Sequence, residues 1–414
     1  MYLRFTLIFI LIFSAGAAAQ KFDFGVGKIG HGYIRVGACD VYTKEKRYGF
    51  ETGGSIDCAE RSPARSTAFY FSVAVPEGNY RVKVTFAGDT AAVSTTVKAE
   101  IRRLMLEKVE SPKGRSVTKT FIVNVRNPNI ASGGEVKLKD REKTSEKWAW
   151  DEKLTLEFNG ANTALKTLEI EPANVPTVFL LGDSTVCDQP GEPYASWGQM
   201  LPAFFGSRIA IANHAESGES LKSSLGARRL DKVLSRMKRG DYLLIQYGHN
   251  DEKEKGEGVG AFTTYKASLK LFIAETRKKG GIPIVITPVH RRTFDKDGRI
   301  ANSHGDYPEA VRQAAKEENV PVLDLNAMSR DLYETLGPEG SGVLFKQGDG
   351  THHNSYGAYE LAKCIVRAIR AQKLPLAKYL IKGLPDFDPK KPDSAGSVNI
   401  PPSPAIADTK PLGS

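Results

Sequence analysis

The sequence predicts two folded domains in tandem, an all-β sandwich over residues 21–174 and a three-layer α/β/α domain over residues 175–385. Short alternating segments with frequent turns and no long helix fill the first region, which is typical of a β-sandwich. From Pro176 onward, apolar strands alternate with amphipathic helices, which indicates a parallel sheet covered on both faces. A chain of 414 residues, 41% of them hydrophobic, can bury two such cores.

Residues 1–20 have the organisation of a secretory leader. Arg4 precedes an apolar stretch, residues 5–13, that is too short to span a bilayer comfortably. We predict cleavage near Ala19 or Gln20 and a secreted or periplasmic protein with no membrane insertion. The formal net charge of +10 is expected of a protein that binds an acidic polysaccharide or an anionic surface, although a generic basic surface explains it equally well. We predict no nucleic-acid partner, and the oligomeric state stays open.

The chain has four cysteines, at positions 39, 58, 187 and 364. An oxidising compartment permits disulfides, and a Cys39–Cys58 bond would join two residues of the β-rich region. Spacing alone does not establish it, because four cysteines allow three complete pairings. No CxxC pair indicates zinc, and we predict neither a metal nor a cofactor.

Within the first domain, residues 69–75 and 80–88 alternate between apolar and polar side chains and flank a Pro-Glu-Gly-Asn turn, which predicts a β-hairpin. Further strands are predicted at residues 117–125, 135–140 and 153–172.

In the second domain the same reasoning predicts strands and helices that follow each other in turn. The predicted strands cover residues 178–181, 208–213, 242–248, 282–288 and 320–325, and the predicted helices cover residues 228–239, 262–281, 307–319 and 355–372. After Pro385 the chain is rich in proline, serine and glycine, so residues 386–414 are predicted to be a disordered tail.

Polar segments follow several of these strands, at the sheet edge where ligands bind in open α/β domains. They cover residues 182–185, 213–218 and 248–251, and a fourth segment, residues 348–354, precedes the last helix. Each has an ordinary explanation when taken singly, since a serine after a strand is commonly a turn residue or a helix cap. Four such segments at one edge predict a functional site.

The residue types in these segments fit nucleophilic catalysis. A serine hydroxyl, Ser184, needs a base to take its proton, and His352 with Asp349 three residues before it supplies a base and a carboxylate that orients it. A tetrahedral oxyanion needs preorganised donors. The N–H groups of Ser184 and Gly218 and the side-chain amide of Asn250 are the predicted oxyanion hole.

These blocks, in this order, resemble the SGNH, or GDSL-type, hydrolase superfamily, and most closely its rhamnogalacturonan acetylesterase branch. The similar segments include "VFLLGDSTVCD", "NHAESGESLKS", "GDYLLIQYGHND" and "GDGTHHNSYGAYELAK". The resemblance implies a flavodoxin-like fold and cofactor-free deacetylation of acetylated pectic polysaccharide through an acetyl-enzyme. It implies the same roles for the residues named above. It also implies that Asp183 belongs to the turn motif and does not act as a catalytic acid.

Two positions depart from the family pattern. Glu219 lies where many relatives have a basic or neutral residue, which leaves the local substrate contact open. His352 is followed by His353, and the spacing from Asp349 favours His352 as the base and His353 as a packing or surface neighbour.

Two further sets of residues have a functional and a structural explanation. His290, Arg291 and Arg292 follow a strand end, where an arginine would pair with a galacturonate carboxylate or form a surface salt bridge. The first domain resembles galactose-binding-like modules, in which exposed Tyr33, Tyr42 or Tyr48 would contact carbohydrate. Packing of these rings inside the sandwich is the alternative that we favour.

The leader and the site residues predict a secreted serine hydrolase, and the family resemblance implies an acetylesterase that acts on acetylated pectin, with rhamnogalacturonan as the expected substrate. Within the same superfamily the alternatives are an acetylxylan esterase, a peptidoglycan O-acetylesterase and a lipid acyl hydrolase. In a different class, the chain would be a non-catalytic carbohydrate-binding protein with a decayed second domain.

Overall fold

The computed structural model describes residues 19–51, 68–88 and 92–404, and it confirms the predicted order of an all-β domain followed by an α/β domain. The apolar part of the predicted leader and Cys58 lie outside the described residues. Cys39 is disulfide-bonded, and Cys187 and Cys364 are free and buried. Among the helices of the described ranges, none combines the length and the apolar character needed to cross a membrane.

The first domain is a sandwich of two five-stranded sheets, ordered β2–β1–β10–β5–β8 and β3–β4–β9–β6–β7. Its strands within the described residues are β1 (Gln20–Asp23), β2 (Ile34–Arg35), β3 (Tyr48–Phe50), β4 (Ala68–Ala74), β5 (Gly78–Ala87), β6 (Val93–Ala99), β7 (Arg103–Ser111), β8 (Ser116–Val125), β9 (Lys153–Asn162) and β10 (Leu165–Pro172). Inward-facing aromatic and branched side chains such as Phe71, Val84 and Phe158 are fully buried between the sheets.

The predicted hairpin of residues 69–75 and 80–88 is wrong. The two strands exist, as β4 and β5, but β4 pairs with β3 and β9 while β5 pairs with β10 and β8. Phe71 of β4 and Val84 of β5 are buried in the same core from opposite sheets. The Pro-Glu-Gly-Asn segment therefore crosses from one sheet to the other instead of joining neighbouring strands.

The predicted strand at residues 135–140 is also wrong. Residues 126–152 form an excursion between β8 and β9, which we call the β8–β9 excursion, with a single bridge between Asn129 and Glu135. It contains the short helix α1 (Asp140–Lys143) and a 3-10 turn, Lys147–Ala149. Its backbone bonds to the second domain rather than to a neighbouring strand, because the Lys137 N–H donates to the Ala227 carbonyl at 3.0 Å.

The second domain has a five-stranded parallel sheet in the order β13–β11–β14–β15–β16, with each pair parallel. Numbered within the domain this is the order 2-1-3-4-5 of flavodoxin-like folds. The strands are β11 (Thr177–Gly182), β12 (Tyr194–Ala195), β13 (Ala210–Asn213), β14 (Tyr242–Gln246), β15 (Ile282–Ile286), β16 (Val322–Leu323) and β17 (His353–Asn354), of which β12 and β17 pair separately.

Helices cover both faces of this sheet. They are α2 (Trp197–Met200), α3 (Leu221–Gly226), α4 (Arg229–Arg236), α5 (Lys266–Lys278), α6 (Tyr307–Glu318), α7 (Leu325–Gly340) and α8 (Ser355–Ala371). One face carries α8, whose Leu361, Ile365 and Ile369 are fully buried, and the other carries α5 and α6. The sequence reasoning did not predict α7, which is interrupted by non-helical backbone at Gly337.

The prediction of a disordered tail is wrong for residues 386–404, which run back across the first domain. Lys98 Nζ donates to the Pro401 carbonyl at 2.7 Å, and Ser403 Oγ donates to Glu157 Oε2 at 2.7 Å. Lys98 and Glu157 are each 2% exposed and lie 3.2 Å apart, so the tail adds hydrogen bonds to a buried ion pair. Composition does not reveal such partners, because they come from strands far away in the sequence.

Candidate active site

Ser184 lies on a tight turn directly after β11, and the residue is only 2% exposed. The carbonyl of Asp183 accepts hydrogen bonds from the N–H groups of Val186 and Cys187, each at 3.0 Å. Gly182 is required before this turn because a Cβ there would lie 2.5 Å from a methyl carbon of Val186. These backbone hydrogen bonds hold the turn, which places Ser184 at the carboxyl edge of the sheet.

His352 and Asp349 lie in the loop before β17 and meet Ser184 at this edge. His352 Nε2 lies 2.9 Å from Ser184 Oγ, and His352 Nδ1 lies 2.9 Å from Asp349 Oδ2. The N–H groups of Thr351 and His352 donate to Asp349 Oδ1 at 2.7 and 3.0 Å. Burial opposes the charge of Asp349, but these hydrogen bonds outweigh it and hold the pKa of the carboxyl well below its usual value. The structure thus joins the three predicted residues in one chain of hydrogen bonds.

His353 does not face this chain. Its Nε2 lies 2.7 Å from the hydroxyl of Tyr333, and its ring packs on Phe345 with centroids 4.3 Å apart. Burial lowers its pKa to about 3, so the ring is neutral at physiological pH. The prediction that His353 is a packing neighbour is confirmed by these contacts.

The predicted oxyanion donors Gly218 and Asn250 are linked to each other through Glu219, and their loop is linked to Ser184 through Gln189. Gly218 takes a left-handed φ of +77° in the loop after β13, a conformation that favours glycine. The Asn250 amide donates to the carbonyl of Glu219 at 3.0 Å, which fixes Asn250 beside this loop. Gln189 ties the loop to the serine, because its amide donates to the Ser184 carbonyl at 2.6 Å and lies 3.4 Å from Ser217 Oγ.

Asp183 stabilises the turn and is buried beneath it. Its Oδ1 accepts from the Thr185 N–H at 2.9 Å and from the Thr185 hydroxyl at 2.7 Å, and its Oδ2 lies 3.3 Å from His249 Nδ1. Burial disfavours its charge, yet His249 and Thr185 hold the pKa of Asp183 below its ordinary value. These contacts account for an aspartate at this position without an acid role.

Of the three predicted substrate residues, Arg291 and Arg292 have side-chain partners within the domain, and His290 is buried. Arg291 forms a 2.5 Å salt bridge with Glu252, and Arg292 donates to Ser341 Oγ at 3.1 Å. His290 is buried, and burial lowers its pKa to about 4. The salt-bridge alternative therefore describes Arg291, and His290 carries no charge at neutral pH.

The tyrosines of the first domain also have internal partners. Tyr48 packs against the sandwich core, and the hydroxyl of Tyr33 donates to Glu169 at 2.9 Å. The Lys153 ammonium lies over the ring of Tyr42 at 4.8 Å. Each of the three rings is thus held at least partly by the domain's own packing and charges.

One cluster of carboxylates has the spacing of a cation site. Ligand atoms of Glu142, Glu146 and Glu216 lie within 4.8 Å of one another. Arg229 forms a bidentate pair with Glu142 at 2.9 and 2.7 Å, and Arg141 pairs with Glu146 and lies 3.7 Å from Glu216. Burial opposes the charge of Glu142, but its bonds to Arg229 hold its pKa below the ordinary value, whereas burial and the neighbouring carboxylates raise the pKa of Glu216. With two arginines already bound to the cluster, we assign it a structural role between the domains.

The sequence reasoning missed the cations that the first domain contributes to this edge. Arg103 pairs with Asp188 at 2.8 Å, and Arg102 donates to the Tyr194 carbonyl at 2.8 Å. The Tyr194 ring stands edge-on to His352 with centroids 6.0 Å apart. Arg102 lies in the turn between β6 and β7 and has a left-handed backbone, with φ +54°. No sequence pattern predicts this conformation.

A parallel α/β domain that carries a serine–histidine–aspartate chain at the carboxyl edge of its sheet has the geometry of serine hydrolases. Two family models match the chain. Residues 180–359 match the GDSL-like lipase/acylhydrolase family, and residues 20–129 match the beta-agarase/YXIM esterase-like, galactose binding domain-like family.

Three curated relatives, all from Bacillus subtilis (strain 168), are similar to this chain. The rhamnogalacturonan acetylesterase RhgT is 41% identical over 49% of this chain and 94% of that protein. The probable rhamnogalacturonan acetylesterase YesY is 36% identical over 50% of this chain and 97% of that protein. The uncharacterized esterase YxiM is 29% identical over 87% of this chain and 92% of that protein.

The chain belongs to the GDSL-like lipase/acylhydrolase family, with a galactose-binding-like domain before the hydrolase domain. It is a carboxylic ester hydrolase related to the rhamnogalacturonan acetylesterases.

Proposed function

We propose that Ser184, His352 and Asp349 form a catalytic triad that removes acetyl groups through an acetyl-enzyme. The observation that carries this proposal is the pair of 2.9 Å contacts from Ser184 Oγ to His352 Nε2 and from His352 Nδ1 to Asp349 Oδ2. His352 takes the hydroxyl proton as Ser184 Oγ attacks the acetyl carbonyl, and it gives that proton to the sugar oxygen as the bond from this oxygen to the acetyl carbon breaks, so the sugar leaves with a free hydroxyl. Water then releases acetate by the same steps.

Asp349 fixes the histidine tautomer in this scheme. Its carboxylate accepts from Nδ1–H, which leaves Nε2 free to accept from the serine, and its negative charge stabilises the imidazolium that forms. The lowered pKa of Asp349 means that the carboxylate stays ionised throughout the physiological range.

The negative oxygen of the tetrahedral intermediate is stabilised by the N–H groups of Ser184 and Gly218 and by the Asn250 amide. Loss of one such donor in comparable enzymes costs about 2.7–4 kcal/mol of transition-state stabilisation. Asn250 keeps a second amide hydrogen for this purpose, because only one is used in the 3.0 Å hydrogen bond to the Glu219 carbonyl.

For the substrate we propose acetylated rhamnogalacturonan. Two relatives that match over nearly their whole length are named as rhamnogalacturonan acetylesterases, one of them as probable. The formal net charge of the full chain is +10, and loss of Arg4 with the leader leaves +9 (10 − 1), which favours association with an acidic polysaccharide over a neutral one. Arg291 is not part of this proposal as a carboxylate ligand, because Glu252 occupies its guanidinium.

We propose that the enzyme acts outside the cytoplasm. The leader pattern of residues 1–20 supports export, and cleavage after Ala19 would leave β1 intact, since that strand begins at Gln20. The disulfide at Cys39 fits an oxidising compartment. Edman sequencing of the mature protein from the medium or periplasm should begin near Gln20, and an intact Met1 would contradict export.

The test is acetate release from acetylated rhamnogalacturonan, acetylated xylan and O-acetylated peptidoglycan by the wild type and by Ser184→Ala. We expect the highest kcat/KM on rhamnogalacturonan and a loss of at least about 10³-fold in Ser184→Ala. Ser235→Ala, on α4, is the matched control and should keep full activity. A higher kcat/KM on xylan or peptidoglycan would refute rhamnogalacturonan as the preferred substrate. Equal rates for wild type and Ser184→Ala would refute the serine mechanism.

A further inference from the structure

The β8–β9 excursion of the first domain is anchored firmly on the second domain. Arg229 of α4 and Glu142 of α1 are both fully buried and bond through two contacts of 2.9 and 2.7 Å. Lys232 of α4 donates to the Asn129 carbonyl at 2.5 Å. A residue of the excursion therefore holds a fixed position relative to the active-site edge of the sheet.

Lys139, at the start of α1, reaches from this excursion to the loop that carries Gly218. Its ammonium donates to the Ser217 carbonyl at 2.5 Å and forms a 2.9 Å salt bridge with Glu219 Oε1. The Ser217 carbonyl and the Gly218 N–H belong to one planar peptide group. Lys139 thus holds the oxygen end of the peptide whose nitrogen end is the proposed oxyanion donor.

This contact has two physical consequences for the donor. A peptide followed by a glycine at φ +77° has little steric resistance to rotation, so a bond to its oxygen is needed to keep its N–H pointed one way. A cation on the carbonyl oxygen also polarises the peptide, and it strengthens the hydrogen bond that the N–H donates.

Glu219, which departs from the family pattern, gains an explanation here. It is 1% exposed, so its charge needs cationic partners, and Lys139 at 2.9 Å and Arg229 at 3.4 Å provide them. Its backbone carbonyl accepts from the Asn250 amide at 3.0 Å. One residue therefore links Lys139 to both Gly218 and Asn250.

We propose that Lys139 is a positioning residue for the oxyanion hole, so that the first domain takes part in catalysis by this active site. The inference rests on the proposed function, because it assumes that Gly218 N–H stabilises the oxyanion. It goes beyond that function because it assigns a role in turnover to a residue outside the hydrolase domain.

The experiment compares Lys139→Met and Lys139→Arg in the full chain with p-nitrophenyl acetate as substrate. A complete oxyanion donor is worth about 10²–10³-fold in kcat, and here the donor stays but loses its orientation, so we expect about a tenfold fall in kcat for Lys139→Met. KM should change by less than about twofold, because the interaction matters mainly in the transition state. Lys139→Arg, which keeps a cationic donor, should recover most of the loss.

Glu77→Gln is the control for a structural effect. Glu77 pairs with Lys232 across the same domain boundary at 2.6 Å, and its ion pairs among the described residues go to α4 rather than to the loop of Gly218. This variant should lower the melting temperature and leave kcat unchanged. If Glu77→Gln lowers kcat as much as Lys139→Met, general domain docking explains the effect and the positioning role is refuted.

The remaining outcomes separate the two proposals. Wild-type kcat in Lys139→Met, with Ser184→Ala inactive, refutes the role of Lys139 alone. Activity in Ser184→Ala refutes the proposed function itself. If Lys139→Met does not fold, Lys139→Arg is compared with Lys139→Gln instead. Equal kcat in these two folded variants would refute the proposal that a cation at position 139 positions the oxyanion hole.

Discussion

The ion pair of Arg103 and Asp188 gives the sharpest test of how the two domains depend on each other. Arg103 of β7 and Asp188 of the loop after Ser184 are 1% and 3% exposed at their side chains and lie 2.8 Å apart. Arg103→Met keeps roughly the volume of the side chain but leaves the buried Asp188 carboxylate with the Asn213 amide, at 2.9 Å, as a hydrogen-bond donor and the buried Arg126 guanidinium as a nearby charge.

Removing one partner of such a pair costs about 3–5 kcal/mol, and we expect the lower end, about 3 kcal/mol, because Asn213 still donates to the carboxylate. At about 2–4 °C per kcal/mol for a domain of this size, the melting temperature should fall by about 6–12 °C. Arg103→Met/Asp188→Asn removes the orphaned charge and should regain most of this loss.

The assay is thermal and urea unfolding of the wild type, the two single variants and the double variant. Lys83→Met is the matched control, because Lys83 and Glu169 also lie 2.9 Å apart but are 47% and 21% exposed, and a surface pair contributes about 1 kcal/mol or less. A shift below about 2 °C for Arg103→Met, or a double variant no more stable than that single variant, would refute the reasoning.

Asp349, Asp251 and Ser403 each allow a further test. Asp349→Asn should lower kcat for acetate release by about 10³–10⁴-fold, because an amide favours the wrong histidine tautomer; a loss below tenfold would remove Asp349 from the triad. Burial raises the pKa of Asp251 from 3.8 to about 8, so the stability of the wild type should fall as the pH rises from about 4 to about 8. The melting temperature of Asp251→Asn should change less with pH over this range, and the same pH dependence as in the wild type would contradict the raised pKa. Ser403→Ala should cost about 1–3 kcal/mol and speed proteolysis of the tail, whereas an unchanged cleavage rate would show that the tail is not held by this hydroxyl.

Much of the hydrolase domain was predictable from the sequence because its elements depend on local patterns. The continuous apolar run of β11 predicts a strand buried on both faces, and the apolar stripe of α8 predicts the helix face that packs on the sheet. The carboxyl ends of parallel strands meet at one edge, so polar residues after those strands indicated Ser184, Gly218 and Asn250. The predicted meeting of Ser184 with His352 and Asp349 is present in the structure.

The errors arose where long-range contacts decide the structure. Alternation identified β4 and β5 as strands but carried no information on which sheet each joins. The β8–β9 excursion has strand-like alternation at residues 135–140, yet its backbone bonds to Ala227 in the other domain. Arg291 follows a strand end as a substrate ligand would, but whether it is free depends on Glu252, which no pattern near Arg291 indicates.

The contacts between the domains show which charges of the hydrolase domain depend on the first domain. RhgT is matched over 94% of its length by only 49% of this chain, so about half of this chain has no counterpart there. In this chain the hydrolase domain buries Asp188 and Glu219, two carboxylates next to the catalytic loops, and their cationic partners include Arg103 and Lys139 of the first domain. In the intact chain, loss of Arg103 leaves Asp188 buried with less compensation, whereas Glu219 keeps Arg229 of the hydrolase domain at 3.4 Å, so the dependence on the first domain is stronger at Asp188. The first domain therefore supplies charge partners to carboxylates beside the catalytic loops of the hydrolase domain.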